Sequence, residues 1–108
     1  MASSAREVIN LIAKTLRKEV PPAFPVRIKQ TVIKDPREFG DCSFSEKAKK
    51  PYFLIHLRKG MSPDLVLFVL THEWAHAVAW SQLHYIDDHG PEWGVAYARC
   101  WRVTSGCS

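Results

Sequence analysis

No Cys-x-x-Cys pair occurs in this chain, and no apolar run is longer than Leu65 to Leu70. The first absence excludes a thiolate zinc knuckle and a thioredoxin-type redox motif. The second leaves nothing able to cross a bilayer, which takes about 20 apolar residues. Cys42, Cys100 and Cys107 stand at unpatterned spacings, so no disulfide framework is expected and all three read as ordinary thiols. The opening "MASSAREVINLIAKTLRKEV" has charges interrupting its apolar residues, which is unlike a signal peptide, so the expected compartment is the cytoplasm. Acidic residues are scarce in the first half. Residues 1 to 60 hold 13 Lys+Arg against 6 Asp+Glu, whereas residues 61 to 108 hold 2 against 5. A basic first half can attract nucleic acid or an acidic partner, or it can be a solvated lysine-rich surface.

What is present suits one folded domain over residues 1–108: a hydrophobic fraction of 46% and four tryptophans. Ser4-Ala5-Arg6-Glu7 reads as a capping box. Val8, Ile12 and Leu16, widened by Ile9 and Leu11, then form a helical stripe that Pro21-Pro22 ends. "AFPVRIKQTVIKD" alternates as a strand. A turn-rich stretch follows, with a short middle strand around Cys42 to Phe44, and Tyr52 to Arg58 is the clearest strand, closed by Gly60. Ser62-Pro63-Asp64 supplies a cap, a proline at the first helical position and a first-turn acid. The helix it opens is apolar nearly all round in its first half, which places it in the middle of the domain. Asp87-Asp88-His89-Gly90 is loop chemistry, so the helix is expected to end near His84 to Ile86. Pro91 starts a last helix with Trp93, Tyr97, Cys100 and Trp101 on one face. The expected class is α+β: an N-terminal helix, a small antiparallel sheet of about three strands, a central helix and a C-terminal helix.

The central helix carries the chemistry. His72-Glu73-Trp74-Ala75-His76 matches H-E-x-x-H. Residues four apart on an α-helix differ by about 40° in direction, so both imidazoles can reach one ion. Glu73 lies about 100° round from His72, where it can hold a water beside that ion. Polar groups in so apolar a helix cost about 1–3 kcal/mol each if left unsatisfied, and a metal would satisfy them. A catalytic zinc needs a third protein ligand and one open position. His84, Asp87, Asp88, His89 and Glu92 follow the motif. His84, eight residues past His76 on or near the same helix, sits more than ~10 Å along the axis, cannot share its ion and reads as a surface histidine. His89, at the junction before Pro91, can face back toward it. His56, on a strand, reads as exposed or locally hydrogen-bonded.

His72-Glu73-x-x-His76 followed by His89-Gly90-Pro91-Glu92-Trp93 resembles the SprT/Spartan family of zinc metalloproteases over about residues 51 to 103. The strand "FLIHLRKG" and the Ser-Pro-Asp turn before the motif are similar too. The resemblance implies that His72, His76 and His89 ligate Zn2+, that Glu73 is the general base, and that Gly90 and Pro91 shape the turn aiming His89. It implies that Trp93 packs behind the site and that Tyr52 to Arg58 is the edge strand on which an extended peptide substrate is laid. Glu92 either orients a ligand imidazole or serves as a helix-start acid. Tyr85, Tyr97 and Arg99 are the candidates for stabilising an oxyanion. Many members of that family continue into a cysteine-rich zinc ribbon; with only Cys100 and Cys107 after the motif, a minimal form without it is expected.

The expected function is therefore a zinc-dependent metalloendopeptidase acting on a protein or peptide, with nucleic-acid binding through basic residues 1–60 as a secondary expectation and no membrane partner. Two alternatives stand beside it. One is a zinc hydrolase on a non-peptide substrate, which the glutamate next to the first histidine disfavours for RNA. The other is a non-catalytic, protease-like scaffold that binds nucleic acid or a protein.

Overall fold

The computed structural model describes residues 5–46, 49–80 and 90–104. Their elements run α1 (Ala5–Glu19), β1 (Val26–Thr31), β2 (Gly40–Ser45), β3 (Tyr52–Arg58), α2 (Pro63–Ala79) and α3 (Pro91–Thr104). The class is α+β, with three helices and a three-stranded sheet among the described residues.

The sheet is mixed rather than antiparallel, in the order β1-β3-β2. β2 and β3 form an antiparallel pair, with Cys42 opposite Ile55, while β1 runs parallel to β3, with Ile28 also opposite Ile55. Strands adjacent in sequence usually pair, but here β3 lies between β1 and β2. Its sequence explains the position. Phe53, Ile55 and Leu57 are all but fully buried on one face, so β3 has the strongest apolar alternation of the three strands. Placed centrally, it also satisfies its backbone on both sides. The chain between β1 and β3, residues 32–51, contains β2 and is long enough for the parallel crossover.

α2 is the hub, packing on α1, α3, β2 and β3. Its start follows the expected chemistry: Ser62 is extended (φ −65°, ψ 159°), its hydroxyl accepts from the Leu65 N–H at 3.3 Å, and Pro63 occupies the first turn. Its end differs. The helix stops at Ala79 instead of running to His84–Ile86, and Trp80 turns to φ −62°, ψ 141°. That turn brings the Trp80 ring onto Phe44, Phe53 and Phe24, with centroids 4.3, 5.6 and 6.0 Å away. Large rings packed edge-on and offset stabilise by more than their buried area, and a continued helix would carry Trp80 away from them.

α1 buries Ile9, Ile12, Ala13 and Leu16, a face at i, i+3, i+4 and i+7, whereas Leu11 is 68% exposed and lies outside it. Just beyond α1, Val20 is buried and its carbonyl accepts from the Trp74 indole N–H at 2.8 Å. This buried bond ties the turn after α1 to the residue between Glu73 and His76. α3 buries Ala96 and Cys100 against α2, while Trp101, expected on the same face, remains 38% exposed. Gly60 closes β3 with φ +84°, a backbone that side-chain-bearing residues rarely adopt.

Candidate metal centre

His72, Glu73 and His76 lie on a regular stretch of α2, three or more residues short of its end. One ligand atom from each lies within 4.8 Å of the other two. Nitrogens sharing one tetrahedral ion at 2.0–2.1 Å stand about 3.4 Å apart, so small side-chain rotations suffice to close the group. Two imidazoles and a carboxylate are also the donor types that divalent transition metals take. These residues can therefore hold a metal ion. Glu73 is only 8% exposed, and the two histidines are half-buried.

Three elements hold the trio in place. From within α2, the flanking residues Thr71, Trp74 and Ala75 are fully buried, so the helix cannot roll without breaking the core. From α3, the Trp93 indole N–H donates to the His72 carbonyl at 3.3 Å. Its ring lies 5.0 Å from the His72 imidazole and 5.5 Å from that of His76. Tyr97 stacks behind Trp93 at 4.8 Å and 11°, and the Thr71 and Thr104 hydroxyls meet at 3.4 Å, bracing α2 against α3. Trp93 thus takes the packing position that the sequence suggested.

β2 supplies the third wall. An alanine methyl at Gly40 would stand 2.8 Å from both the His56 carbonyl and Val69 Cγ1, so only glycine lets the strand lie this close to α2. Val69 precedes His72 by one turn. Cys42, also on β2, has its thiol pushed up to about 12 by burial first, and then by the carboxylates of Glu73 and Asp41. It is therefore a neutral thiol at physiological pH. Burial likewise pushes Cys100 up to about 12. Both are free cysteines; Cys107 lies outside the described residues.

A cleft of about 400 Å³ opens beside the trio, with His72 and Glu73 on one side and the 35–40 loop on the other. Phe39 and Phe68, 42% and 51% exposed, give it apolar walls. Arg58 fixes the loop: its guanidinium donates to the carbonyls of Asp35 and Glu38, and its backbone N–H to that of Phe39 at 2.9 Å. Composition and spacing gave no sign of this cleft. The one available hint was a glycine starting a weak strand, Gly40-Asp41-Cys42-Ser43-Phe44.

β3 is not an edge strand, because it is bonded on both sides. Among the described residues, the open sheet edge nearest the trio belongs to β2, which pairs with β3 alone. The backbone pair Phe39/Arg58 shows which β2 residues bond inward, and by alternation Gly40, Cys42 and Phe44 turn their N–H and C=O groups outward. His56 is locally bonded, its Nδ1 3.0 Å from Asp41 Oδ1, as expected. Glu92 is exposed in the first turn of α3, where an acid complements the helix dipole. Of the oxyanion candidates, Tyr97 lies 6.2 Å from the His72 ring, Arg99 is exposed, and Tyr85 is outside the described residues. His84 and His89 are outside them too. Because α2 ends at Ala79, the axial distance that argued against His84 no longer applies. No helix among the described residues is long and apolar enough to cross a membrane. Comparison of the chain with protein-family models, with curated proteins and with solved structures returned no match.

Proposed function

We propose that the protein is a zinc-dependent metallopeptidase in which His72, His76 and His89 hold the ion and Glu73 is the general base. The observation that carries this reading is the trio itself: two imidazoles one turn apart and a nearly buried carboxylate, with donor atoms within 4.8 Å, beside an open cleft. We assign the third ligand to His89 because it directly precedes Gly90, whose carbonyl accepts the first bond of α3, and Trp93 one turn later already touches both imidazoles. The H-E-x-x-H and H-G-P-E-W pattern, similar to SprT/Spartan proteases, agrees with this set.

When bound, zinc supplies Lewis-acid polarisation of a carbonyl and makes water a competent nucleophile near neutral pH. The chain's own groups do the rest. Glu73 takes a proton from the attacking water and passes it to the leaving amine, a role its burial favours by strengthening the carboxylate's local interactions. The outward backbone groups of Gly40 and Cys42 on β2 receive an extended peptide by strand addition, in place of the central β3. Phe39 and Phe68 receive an apolar side chain of that peptide in the cleft.

Glu73→Gln tests the assignment. With unfolded casein as substrate, the variant should bind zinc as the wild type does and lose about 10²–10⁴-fold in turnover. Equal cleavage by both proteins, or none by the zinc-loaded wild type, would remove Glu73 from this role.

A further inference from the structure

A second groove, of about 340 Å³, lies between α1 and β1 and shares no lining residue with the cleft beside His72. Arg6, Asn10 and Arg17 line it from α1, and Ile28, Lys29 and Gln30 line it from β1. Side chains alternate across a strand, so three consecutive lining residues mean that the groove meets the edge of β1 and not one of its faces. Among the described residues, β1 pairs with β3 alone, so that edge is open.

The hydrogen bonds fix which backbone groups the edge offers. Phe53 N–H donates to the Pro25 carbonyl at 2.8 Å and Lys59 N–H to that of Thr31 at 3.0 Å, so the odd-numbered residues of this stretch face β3. The even-numbered ones therefore face out. The Val26 carbonyl agrees: it points away from β3 and accepts from Arg17 Nη2 at 3.0 Å. Arg17, its guanidinium also over the Trp74 ring, closes the edge at Val26. Ile28 and Gln30 are left with an N–H and a C=O each directed at the groove. Around them stand Arg6, Arg17 and Lys29, and no carboxylate is among the described lining residues.

We propose that this groove is a docking site for an extended acidic segment of a partner protein, which adds as a short strand to β1 at Ile28 and Gln30 while its carboxylates meet Arg6 and Lys29. A row of unpaired strand groups recruits extended peptide backbone. The surrounding cations select acidic side chains and raise the association rate. A nucleic acid would use the cations and leave the strand edge unpaired.

The test uses a fluorescein-labelled hexapeptide alternating glutamate and valine, titrated against the full chain by fluorescence anisotropy. Its lysine–valine counterpart serves as control. Gln30→Pro removes one outward N–H without touching the β1–β3 ladder, and proline is tolerated at such an edge position. It also separates binding here from binding at β2. The acidic peptide should bind, more weakly as salt rises. Binding should fall about tenfold or more in Gln30→Pro and in the Arg6→Glu/Lys29→Glu pair, with circular dichroism unchanged. Amide exchange should slow at Ile28 and Gln30 of the wild type when the peptide is added, a readout that needs no variant. Unchanged affinity in Gln30→Pro, or unprotected amides at Ile28 and Gln30, overturns the proposal. So does a single-stranded oligonucleotide binding with the same charge dependence where the acidic peptide does not bind.

Discussion

Replacing Gly40 by alanine puts a methyl group 2.8 Å from the His56 carbonyl oxygen and 2.8 Å from Val69 Cγ1. The first neighbour is backbone of the central strand and cannot swing aside. The second belongs to a nearly buried side chain on α2, Val69 being 6% exposed. Gly40 does not have a positive φ, so space alone decides the outcome. Inserting a methyl into a packed site costs about 1–3 kcal/mol. Reduced freedom of the unfolded chain returns at most about 0.4–1 kcal/mol. A net loss of about 1–2 kcal/mol follows, which for a domain of this size lowers the melting temperature by about 5–10 °C. Thermal unfolding followed by circular dichroism measures it. Gly94→Ala is the internal control: it lies inside α3 with nothing within 4 Å of the added methyl, and it should stabilise by about 0.5–1 kcal/mol. A Gly40→Ala protein as stable as wild type would show that β2 does not lie against Val69 as described, and the edge-strand role of β2 would fail with it.

Three further outcomes follow from buried groups. Trp74→Phe leaves the Val20 carbonyl without its donor and puts a smaller ring in a fully buried site, so urea unfolding should show a loss of at least about 1–3 kcal/mol; no loss would mean that the 2.8 Å bond contributes nothing. In a Cys107→Ser background, Cys42 and Cys100, both pushed up to about 12, should resist a thiol reagent at pH 8 when folded and react promptly in urea. The sign is fixed by the direction of these shifts: a folded thiol held above its unfolded value favours the native state at lower pH. That contribution is lost as pH rises from about 9 toward about 12, so alkaline unfolding should come later in Cys42→Ala than in its parent.

Legibility tracked how local each feature is. The cap at Ser62, the Pro63 start and the spacing of His72 and His76 depend on neighbours within a turn, and all stand in the structure as the sequence implies. The buried alternation of Phe53, Ile55 and Leu57 was equally plain. Strand order was not, because nothing in "VRIKQT" or "GDCSFS" states which partner each will take. The decision belongs to β3, whose apolar face wins the centre. Trp80 shows the same limit at the end of α2: the helical pattern continues through it, but Phe24, Phe44 and Phe53, distant in sequence, draw it out. At the candidate metal centre, the two histidines and Glu73 were readable from five residues, whereas the Phe39–Phe68 cleft and the approach of Gly40 exist only once the sheet has folded onto α2.

The most direct test of the central claim is the zinc content of the purified full chain, measured by mass spectrometry of the metal across four variants. One zinc per chain is expected in the wild type and in Glu73→Gln, and loss of zinc in His72→Ala, His76→Ala and His89→Ala. Zinc lost from Glu73→Gln but kept in His89→Ala would make Glu73 a ligand in place of His89. A wild type that takes up no zinc would rule out a zinc site at His72, His76 and His89.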